Sequence, residues 1–291
     1  MNNTRFVVID IGSNSIRYFC AAVTPQGVAA FAPKRLITTR LAEGILKSGS
    51  LQDAAIARSV LAIEQFLALA AEHGAEVVYA YATSAVRDAK NRTAFLELVK
   101  KRCNIQIDVL SGEEEARFAY LGATGGSGGL IDIGGGSAQV ITPLAAYSFP
   151  IGCVRAKELC VNQGQDEIPQ IIHTWLDQTI QNTLGNVAKT RWTGVGGTIT
   201  TLGALQSGLT TYDSLRVNRE TLTQDSVRAL YQTLLGMGEA RKEHPLLFER
   251  HDIILFGALI LLELMEQLNL HTLNVSDADG MEGYLVDRAG R

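Results

Sequence analysis

The stretch Val7-Val8-Ile9-Asp10-Ile11-Gly12-Ser13-Asn14-Ser15 has a partial copy far downstream, Leu130-Ile131-Asp132-Ile133-Gly134-Gly135-Gly136-Ser137. In each copy an apolar run ends in Asp-Ile-Gly, small and hydroxyl residues follow, and a second apolar run begins. A short apolar run that ends at glycine predicts a buried strand, and the Gly/Ser/Asn cluster predicts a tight hairpin turn. Repeats of a whole motif rarely arise by chance, so the chain is predicted to contain two halves built on one plan.

The residue types in these two turns are suited to binding an anion. Glycines let backbone N–H groups approach a phosphate closely, hydroxyls add donors, and the Asp at the strand end can hold a hydrated cation. An Asp-x-Gly-x-x-Ser sequence is also a common turn without a ligand, and that interpretation stays open for either copy alone. Because the motif occurs twice, we expect two anion sites that face each other across a cleft.

Composition limits the class of protein. A length of 291 residues fits two domains, and 46% hydrophobic residues suffice for sizeable cores. The net charge of −4, without a long run of either sign, argues against a nucleic-acid groove and a polybasic membrane patch. The most apolar segment, Ile253–Leu264, is too short to span a bilayer.

The cysteines and the N-terminus predict where the protein resides. Cys20, Cys103, Cys153 and Cys160 form no C-x-x-C pair and no zinc spacing, so we expect reduced thiols. Met1 leads into a strand without a basic signal region. A soluble, cytoplasmic protein without a membrane or nucleic-acid partner is therefore expected.

Strand and helix patterns alternate along the chain, which predicts an α/β fold of two lobes. The glycine-rich segment Gly122–Gly129 is predicted to be a hinge, with one domain over 1–123 and a second over 124–291. The terminal helix at about 284–291 could pack back on the first domain. Strands are predicted at Arg35–Leu41, Ile105–Leu110, Ala138–Thr142 and Trp192–Val195, and a polar turn at Thr83–Ala89.

The segment Ser111-Gly112-Glu113-Glu114-Glu115 carries three consecutive carboxylates with different predicted tasks. Ser111 as N-cap with Glu114 three residues later is a capping box, and Glu113 in the first turn should face water. Glu115 shares a helical stripe with Phe118 and Ala119, which should point inward, where a general base for water would lie. A solvated acidic first turn is the alternative.

Three other segments could bind an anion. Arg87 follows two hydroxyls after a strand and could fork onto phosphate oxygens, although a salt bridge in a surface turn is the alternative. Gly194–Thr198 leads into a helix whose N-terminus could bind an anion, or is an ordinary glycine turn. Arg155 could supply one more cation to an anion site, although a structural role is the favoured interpretation of this residue.

In combination, these motifs resemble a known family. The segments D-I-G-S-N-S-I-R, T-S-A-V-R-D-A, S-G-E-E-E-A-R, D-I-G-G-G-S and G-G-T occur in the order seen in the exopolyphosphatase/guanosine pentaphosphate phosphohydrolase (Ppx/GppA) family. The similarity spans nearly the whole chain and is closest to the short, two-domain members. It implies two RNase H-like lobes, as in the actin-like ATPase superfamily, with a cleft between them.

The resemblance implies roles for single residues. Glu115 matches the glutamate that activates water, and Arg87 an arginine that reaches the phosphates. Asp132, and with it Asp10, matches a ligand of Mg²⁺ or another divalent cation. The phosphate-binding positions are Gly12, Ser13, Asn14, Gly134, Gly135, Gly136, Ser137, Gly197 and Thr198.

Two departures from the family pattern affect the expected activity. The family's G-G-G-S-T-E becomes Ser137-Ala138-Gln139 here, so an amide replaces a carboxylate near the metal. The C-terminal L-R-E-G becomes Gly280-Met281-Glu282-Gly283 and lacks the arginine.

The resemblance implies a metal-dependent phosphohydrolase that cleaves terminal phosphoanhydride bonds of inorganic polyphosphate or guanosine pentaphosphate. The alternative, suggested by Gln139, is a regulatory module that binds these polyanions without turnover. A kinase of the same superfamily is less favoured, because no acceptor-activating Asp motif is evident. The oligomeric state stays open, with a homodimer as one form.

Overall fold

The computed structural model describes residues 4–25, 27–164, 166–180 and 191–290. The elements of the first part of the chain are β1 Phe6–Ile11, β2 Ser15–Thr24, β3 Gly27–Ala30, β4 Arg35–Thr38, α1 Ile45–Ser48, α2 Asp53–Glu72, β5 Val77–Ala82, α3 Ser84–Asp88, α4 Arg92–Cys103, β6 Asp108–Val109 and α5 Gly112–Thr124. The remaining elements are β7 Gly129–Ile133, β8 Ala138–Thr142, β9 Ala145–Phe149, α6 Cys153–Leu159, α7 Ile168–Ile180, β10 Trp192–Val195, α8 Gly196–Gln206, α9 Ser214–Val217, β11 Thr221–Thr223, α10 Gln224–Met237, a 3-10 helix Gly238–Lys242, α11 Ile254–Gln267, β12 Thr272–Val275 and α12 Gly280–Ala289.

The chain divides into two compact units. One comprises Met1–Gly122 together with Gly280–Arg291, and the other comprises Ala123–Asp279. Each unit contains one mixed sheet, with strand order β3-β2-β1-β5-β6 in the first and β11-β12-β10-β7-β8-β9 in the second. In both, an antiparallel three-strand meander is followed by two parallel strands, which is the RNase H-like topology. The prediction of two α/β lobes of this class is confirmed.

The helix α12 completes the core of the first unit. Its side chains Met281, Tyr284 and Leu285 are buried with Val8 and Phe118 in one apolar cluster. Burial of a large side chain of this kind contributes about 1.5–3 kcal/mol. Helix α12 is therefore part of the hydrophobic core of the first unit, although it lies far along the chain from β1.

The helix α2 is long and apolar enough to cross a membrane, judged by length and composition alone. A buried core helix passes the same test, and α2 packs on β1 and β2. Val60, Ile63 and Phe66 form its buried face, while Leu61 is exposed. The amphipathic pattern identifies α2 as the core helix of the first unit.

Most of the predicted strands are confirmed, some with shorter bounds. Ala138–Thr142 and Trp192–Val195 form as predicted. The strand predicted over Arg35–Leu41 ends at Thr38, and the one over Ile105–Leu110 is reduced to Asp108–Val109. Short edge strands carry little local pattern, because much of each strand faces solvent.

One local prediction was wrong. Thr83–Ala89 is not a polar turn, since Ser84–Asp88 forms α3 with Ala85 and Val86 buried. Tertiary packing outweighs local propensity there. Within Gly122–Gly129, α5 continues to Thr124 and the two units divide after Gly122, so the hinge stays a prediction.

Candidate functional site

The first predicted phosphate loop joins β1 to β2. The two strands pair with Ile11 opposite Ile16 and Asp10 opposite Arg17, so Gly12–Asn14 form the tip of the hairpin. The Gly12 N–H donates to the Ser15 carbonyl at 3.1 Å. A Cβ at position 12 would lie 2.9 Å from that oxygen, so only glycine allows a turn this tight.

Asp10 is buried and bonded to an arginine. Its Oδ2 accepts hydrogen bonds from Nε of Arg17 at 2.9 Å and from Nη2 of the same guanidinium. Both guanidinium nitrogens therefore bond the same carboxylate oxygen, and the bonds are charge-assisted. The Asp10 carboxylate, predicted as a metal ligand, therefore faces a protein cation across the hairpin.

Buried hydroxyls connect the first loop to α3. The Ser13 and Ser84 hydroxyls lie 2.9 Å apart, and both side chains are buried. Ser84 begins α3, whose last turn carries Arg87. The Ser13–Ser84 contact thus links the first phosphate loop to the helix that carries Arg87, the predicted phosphate-binding arginine.

The capping box predicted at the start of α5 is confirmed. The Glu114 N–H donates to Oγ of Ser111 at 3.1 Å, and the Ser111 N–H donates to Oε2 of Glu114 at 2.9 Å. Glu113 and Glu114 are exposed, whereas Glu115 is partly buried. The inward direction predicted for Glu115 from its helical stripe is confirmed.

Glu115 and Arg87 form an ion pair. Nη1 of Arg87 donates to Oε2 of Glu115 at 2.9 Å and to the Leu110 carbonyl at 3.0 Å. Only 16% of the Glu115 side chain and 23% of the Arg87 side chain are exposed, so water screens this pair less than a surface pair. Arg87 fixes the direction of the carboxylate predicted to act as base.

The second predicted loop repeats the first on the other sheet. Asp132 pairs opposite Gln139, the position that corresponds to Arg17 in the first hairpin. The Gly134 N–H donates to the Ser137 carbonyl at 2.9 Å. Gln139 is buried, and its Nε2 donates to Oγ of Ser137 at 3.2 Å. The Gln139 side chain, on β8, therefore stabilises the second loop through its hydrogen bond to Ser137.

The start of α6 supports this loop from the other side. The N–H groups of Cys153 and Val154 donate to the carbonyls of Gly134 and Gly135 at 3.0 and 2.8 Å. A Cβ at Gly152 would lie 2.4 Å from the Gly135 carbonyl carbon, so the backbones touch directly. The Arg155 N–H also reaches the Gly135 carbonyl, at 3.3 Å.

The N-terminus of α8 lies beside Asp132 within the second unit. Gly196 has a φ of +89°, and a Cβ there would lie 2.7 Å from Oδ1 of Asp132. A Cβ on Gly197 would lie 2.3 Å from Nη1 of Arg250. A helix N-terminus and a guanidinium thus converge at the predicted phosphate-binding residue Gly197.

Thr198 is buried against two helices. Its hydroxyl is hydrogen-bonded to the Cys153 thiol, and a Cβ at Gly257 would lie 2.3 Å from its Oγ1. Burial raises the pKa of the Cys153 thiol to about 11, although the charge of Arg250 lowers it. The thiol is therefore neutral near pH 7 and unsuited as a nucleophile.

The predicted metal ligands do not form a complete protein cage. Among the described residues, no group of three or more His, Cys, Asp or Glu side chains is arranged to hold a metal ion. Mg²⁺ commonly binds through one or two carboxylates together with substrate phosphates and water. Asp132, which faces a neutral amide, fits that mode better than Asp10, which faces Arg17.

The structure brings the predicted residues together in two groups. Gly12, Ser13, Asn14, Asp10, Arg87 and Glu115 lie in the first unit, and Asp132, Gly134–Ser137, Gly197 and Thr198 lie in the second. Two partners were not predicted. Arg17 could have been found by counting outward from the hairpin turn, whereas Arg250, 53 positions from Gly197, has no local signal.

Comparison with known proteins decides the family. The model of the Ppx/GppA phosphatase family matches residues 21–291. A protein named exopolyphosphatase 2 from Mycobacterium tuberculosis is 31% identical over an alignment of 319 positions, which covers 99% of each chain. The chain belongs to the Ppx/GppA phosphatase family. The resemblance inferred from the motifs is confirmed.

Solved structures show the same Ppx/GppA architecture. The crystal structure of an exopolyphosphatase-like protein has a TM-score of 0.91 at 26% identity and covers 99% of each chain. A Ppx/GppA family member from Aquifex aeolicus has a TM-score of 0.78 at 29% identity, covering 98% of this chain and 97% of that one.

The C-terminal departure from the Ppx/GppA pattern has a structural explanation. Met281, at the place of the family arginine, is fully buried in the apolar cluster of the first unit. The adjacent Glu282 forms a partly buried ion pair with Lys34 at 2.9 Å. This chain therefore uses position 281 for packing.

Proposed function

We propose that this Ppx/GppA protein hydrolyses the terminal phosphoanhydride bond of inorganic polyphosphate, with Glu115 as general base. The observation that carries the proposal is the 2.9 Å Arg87–Glu115 ion pair, which fixes the direction of a partly buried carboxylate. This carboxylate lies in the same unit as the first phosphate loop. The names of its relatives support the choice of substrate.

The proposed reaction is an in-line displacement. Glu115 takes a proton from water as the water oxygen bonds to the terminal phosphorus. The bridging P–O bond breaks, so orthophosphate and a polyphosphate one unit shorter are released. Positioned donors supply most of the catalysis in phosphoryl transfer, because charge spreads over the phosphate oxygens. The proposed donors are the N–H groups of Ser13 and Asn14 in the first loop and those of Gly135 and Gly136 in the second, since the Gly12 and Gly134 N–H groups are bonded within their hairpins.

Asp132 is the proposed protein ligand for Mg²⁺ or another divalent cation. When bound, the cation would neutralise charge on the phosphate oxygens. Asp10 is the less favoured ligand, because the charge of its carboxylate is balanced by a direct ion pair with Arg17. We propose Arg250 as a phosphate-binding residue at Gly197, because the guanidinium is adjacent to the N-terminus of α8.

A second candidate function is binding of polyphosphate or guanosine pentaphosphate without turnover. Gln139 favours it, since a buried amide replaces the family carboxylate opposite Asp132. Guanosine pentaphosphate is also the alternative substrate of a hydrolase.

The proposed site of action is the cytoplasm. All four cysteines are free thiols, as is usual in a reducing compartment. A disulfide in protein isolated from its native cells would contradict this location.

A phosphate-release screen distinguishes these possibilities. Long-chain polyphosphate, guanosine pentaphosphate and nucleoside triphosphates are each incubated with the protein and Mg²⁺. We expect fastest release from polyphosphate and loss of release in EDTA. Tight polyphosphate binding without release would support the binding module, and release only from guanosine pentaphosphate would reassign the substrate.

A further inference from the structure

A short segment after β4 is hydrogen-bonded to the first phosphate loop. The N–H groups of Thr39 and Arg40 both donate to the Asn14 carbonyl, at 3.0 and 2.8 Å, and the Ala42 N–H donates to the Ser13 carbonyl at 2.9 Å. From its other side, Nε of Arg58 on α2 donates to the Thr39 carbonyl at 2.9 Å. The backbone at Arg40 is therefore fixed directly against the loop.

Arg40 has a backbone conformation that its side chain disfavours. Its φ is +51°, in the left-handed region. Among the described residues, the other non-glycine residues with positive φ are Asn104 and Asn269, and Asn tolerates this region better than other side chains. Glycine or asparagine would suit position 40 better on backbone grounds. An unfavourable residue type held by surrounding bonds is a known feature of binding sites.

The chemistry of the side chain indicates what it binds. Guanidinium is a permanent cation whose planar donors match phosphate oxygens in pairs. Arg40 is partly buried, and its N–H lies 2.8 Å from a carbonyl of the loop proposed to bind phosphate.

We propose that Arg40 is a substrate-binding residue that contacts the phosphates of polyphosphate held at the first loop. The proposal rests on the proposed function for the identity of the substrate. It is argued from the position of Arg40, whose backbone is hydrogen-bonded to the first phosphate loop and has a left-handed φ.

The test compares Arg40→Asn with Arg40→Lys and with Arg102→Asn. Asparagine accepts the left-handed backbone but removes the charge, whereas lysine keeps the charge without the planar fork. Arg102 is an exposed arginine on α4 paired with Glu64, so Arg102→Asn controls for loss of one surface charge. Binding of tripolyphosphate is measured by calorimetry, KM and kcat by phosphate release, and folding by thermal unfolding.

We expect Arg40→Asn to raise the Kd for tripolyphosphate and the KM for polyphosphate about 10–100-fold, as for loss of a charged hydrogen bond. Arg40→Lys should recover part of the affinity, kcat should change little, and Arg102→Asn should match wild type. The melting temperature of Arg40→Asn should equal or exceed that of wild type, because strain is relieved.

A Kd of Arg40→Asn within twofold of wild type would overturn the proposal. Equal loss of affinity in the Asn and Lys variants with a lower melting temperature would overturn it too, since that indicates a structural role. If wild type binds tripolyphosphate without releasing phosphate, the proposed hydrolase fails, while weaker binding by Arg40→Asn would still support Arg40. A wild type that binds no tripolyphosphate would overturn both.

Discussion

At the scale of single residues, the Arg87–Glu115 ion pair determines how the proposed base is held. Both side chains are partly buried, and Arg87 is also anchored to the Leu110 carbonyl. A carboxylate with one oxygen bound to a fixed guanidinium loses most of its rotational freedom. Loss of the arginine should therefore change the direction of Glu115 more than the stability of the unit.

Arg87→Ala is expected to lower kcat by about 100-fold, the typical cost of misplacing a reacting group. Arg87→Lys should recover only part of this, because a point charge cannot replace the fork. Steady-state phosphate release measures both. Arg102→Ala removes an exposed arginine and should leave kcat unchanged. Normal turnover by Arg87→Ala would show that Glu115 does not depend on Arg87.

Gln139→Glu is expected to lower the Mg²⁺ concentration needed for half-maximal activity. The new carboxylate would face Asp132 across the hairpin, and two carboxylates hold a hard cation better than one. Without metal the pair should repel, so the melting temperature in EDTA should fall. Gln170→Glu, on the exposed face of α7, is the matched charge control. A metal titration identical to wild type would place position 139 outside the metal site.

At the scale of elements, close contact between α12 and α5 depends on one glycine. A Cβ at Gly283 would lie 2.0 Å from the Phe118 carbonyl oxygen, which belongs to the α5 backbone. Since α5 also carries Glu115, displacement of this helix would affect stability and turnover together.

Gly283→Ala is expected to destabilise the protein by about 1–3 kcal/mol, as overpacking of a tight interface does. Gly236→Ala is the matched control, because Gly236 lies within α10 with open space around its Cβ position. That control should gain up to about 1 kcal/mol from helix propensity. Urea unfolding measures both changes. Equal effects of the two substitutions would contradict the close α12–α5 contact.

The sequence predicts best those elements whose pattern is local. The hairpin around Asp10, the strand Ala138–Thr142 and the capping box at Ser111 each depend on neighbouring residues and were predicted correctly. The short α3 was not predicted, because it is stabilised by burial of Ala85 and Val86 rather than by propensity. The edge strands β3 and β11 were missed because each has only three or four residues, too few to establish a strand pattern.

The candidate site was predictable to a similar degree. The inward direction of Glu115 follows from helix geometry, and the Asp10–Arg17 pair follows from hairpin register. By contrast, the contact of Arg250 with Gly197 and that of Arg87 with Glu115 join segments far apart in the chain. Only the tertiary fold determines these distances.

At the scale of the whole molecule, the chain begins and ends in the same unit. Polar contacts hold α12 there in addition to its apolar side chains. Lys34 pairs with Glu282, Arg117 with Asp287 and Arg288 with Asp108, and the Tyr284 hydroxyl donates to Asp108 at 2.6 Å. The first unit is therefore complete only when the last residues of the chain are present.

Truncation after Asp279 is expected to destabilise the first unit selectively. Amide hydrogen exchange should show loss of protection in β1 and α5, because Met281, Tyr284 and Leu285 no longer fill their core. Protection of β7 and α11 should change less, since both lie in the second unit. Truncation after Ala289 keeps α12 and is the control. Unchanged protection in β1 would contradict the assignment of α12 to this core.

The most direct test of the account is phosphate release from long-chain polyphosphate by Glu115→Gln. Glutamine preserves the volume of the side chain but removes its basicity, so kcat should fall by about 10²–10⁴-fold while KM changes little. Glu113→Gln, which alters an exposed first-turn carboxylate, should match wild type. Glu114→Gln should lose stability rather than rate, because Glu114 belongs to the capping box. Turnover by Glu115→Gln within about threefold of wild type, far short of the loss expected for a general base, would contradict the assignment.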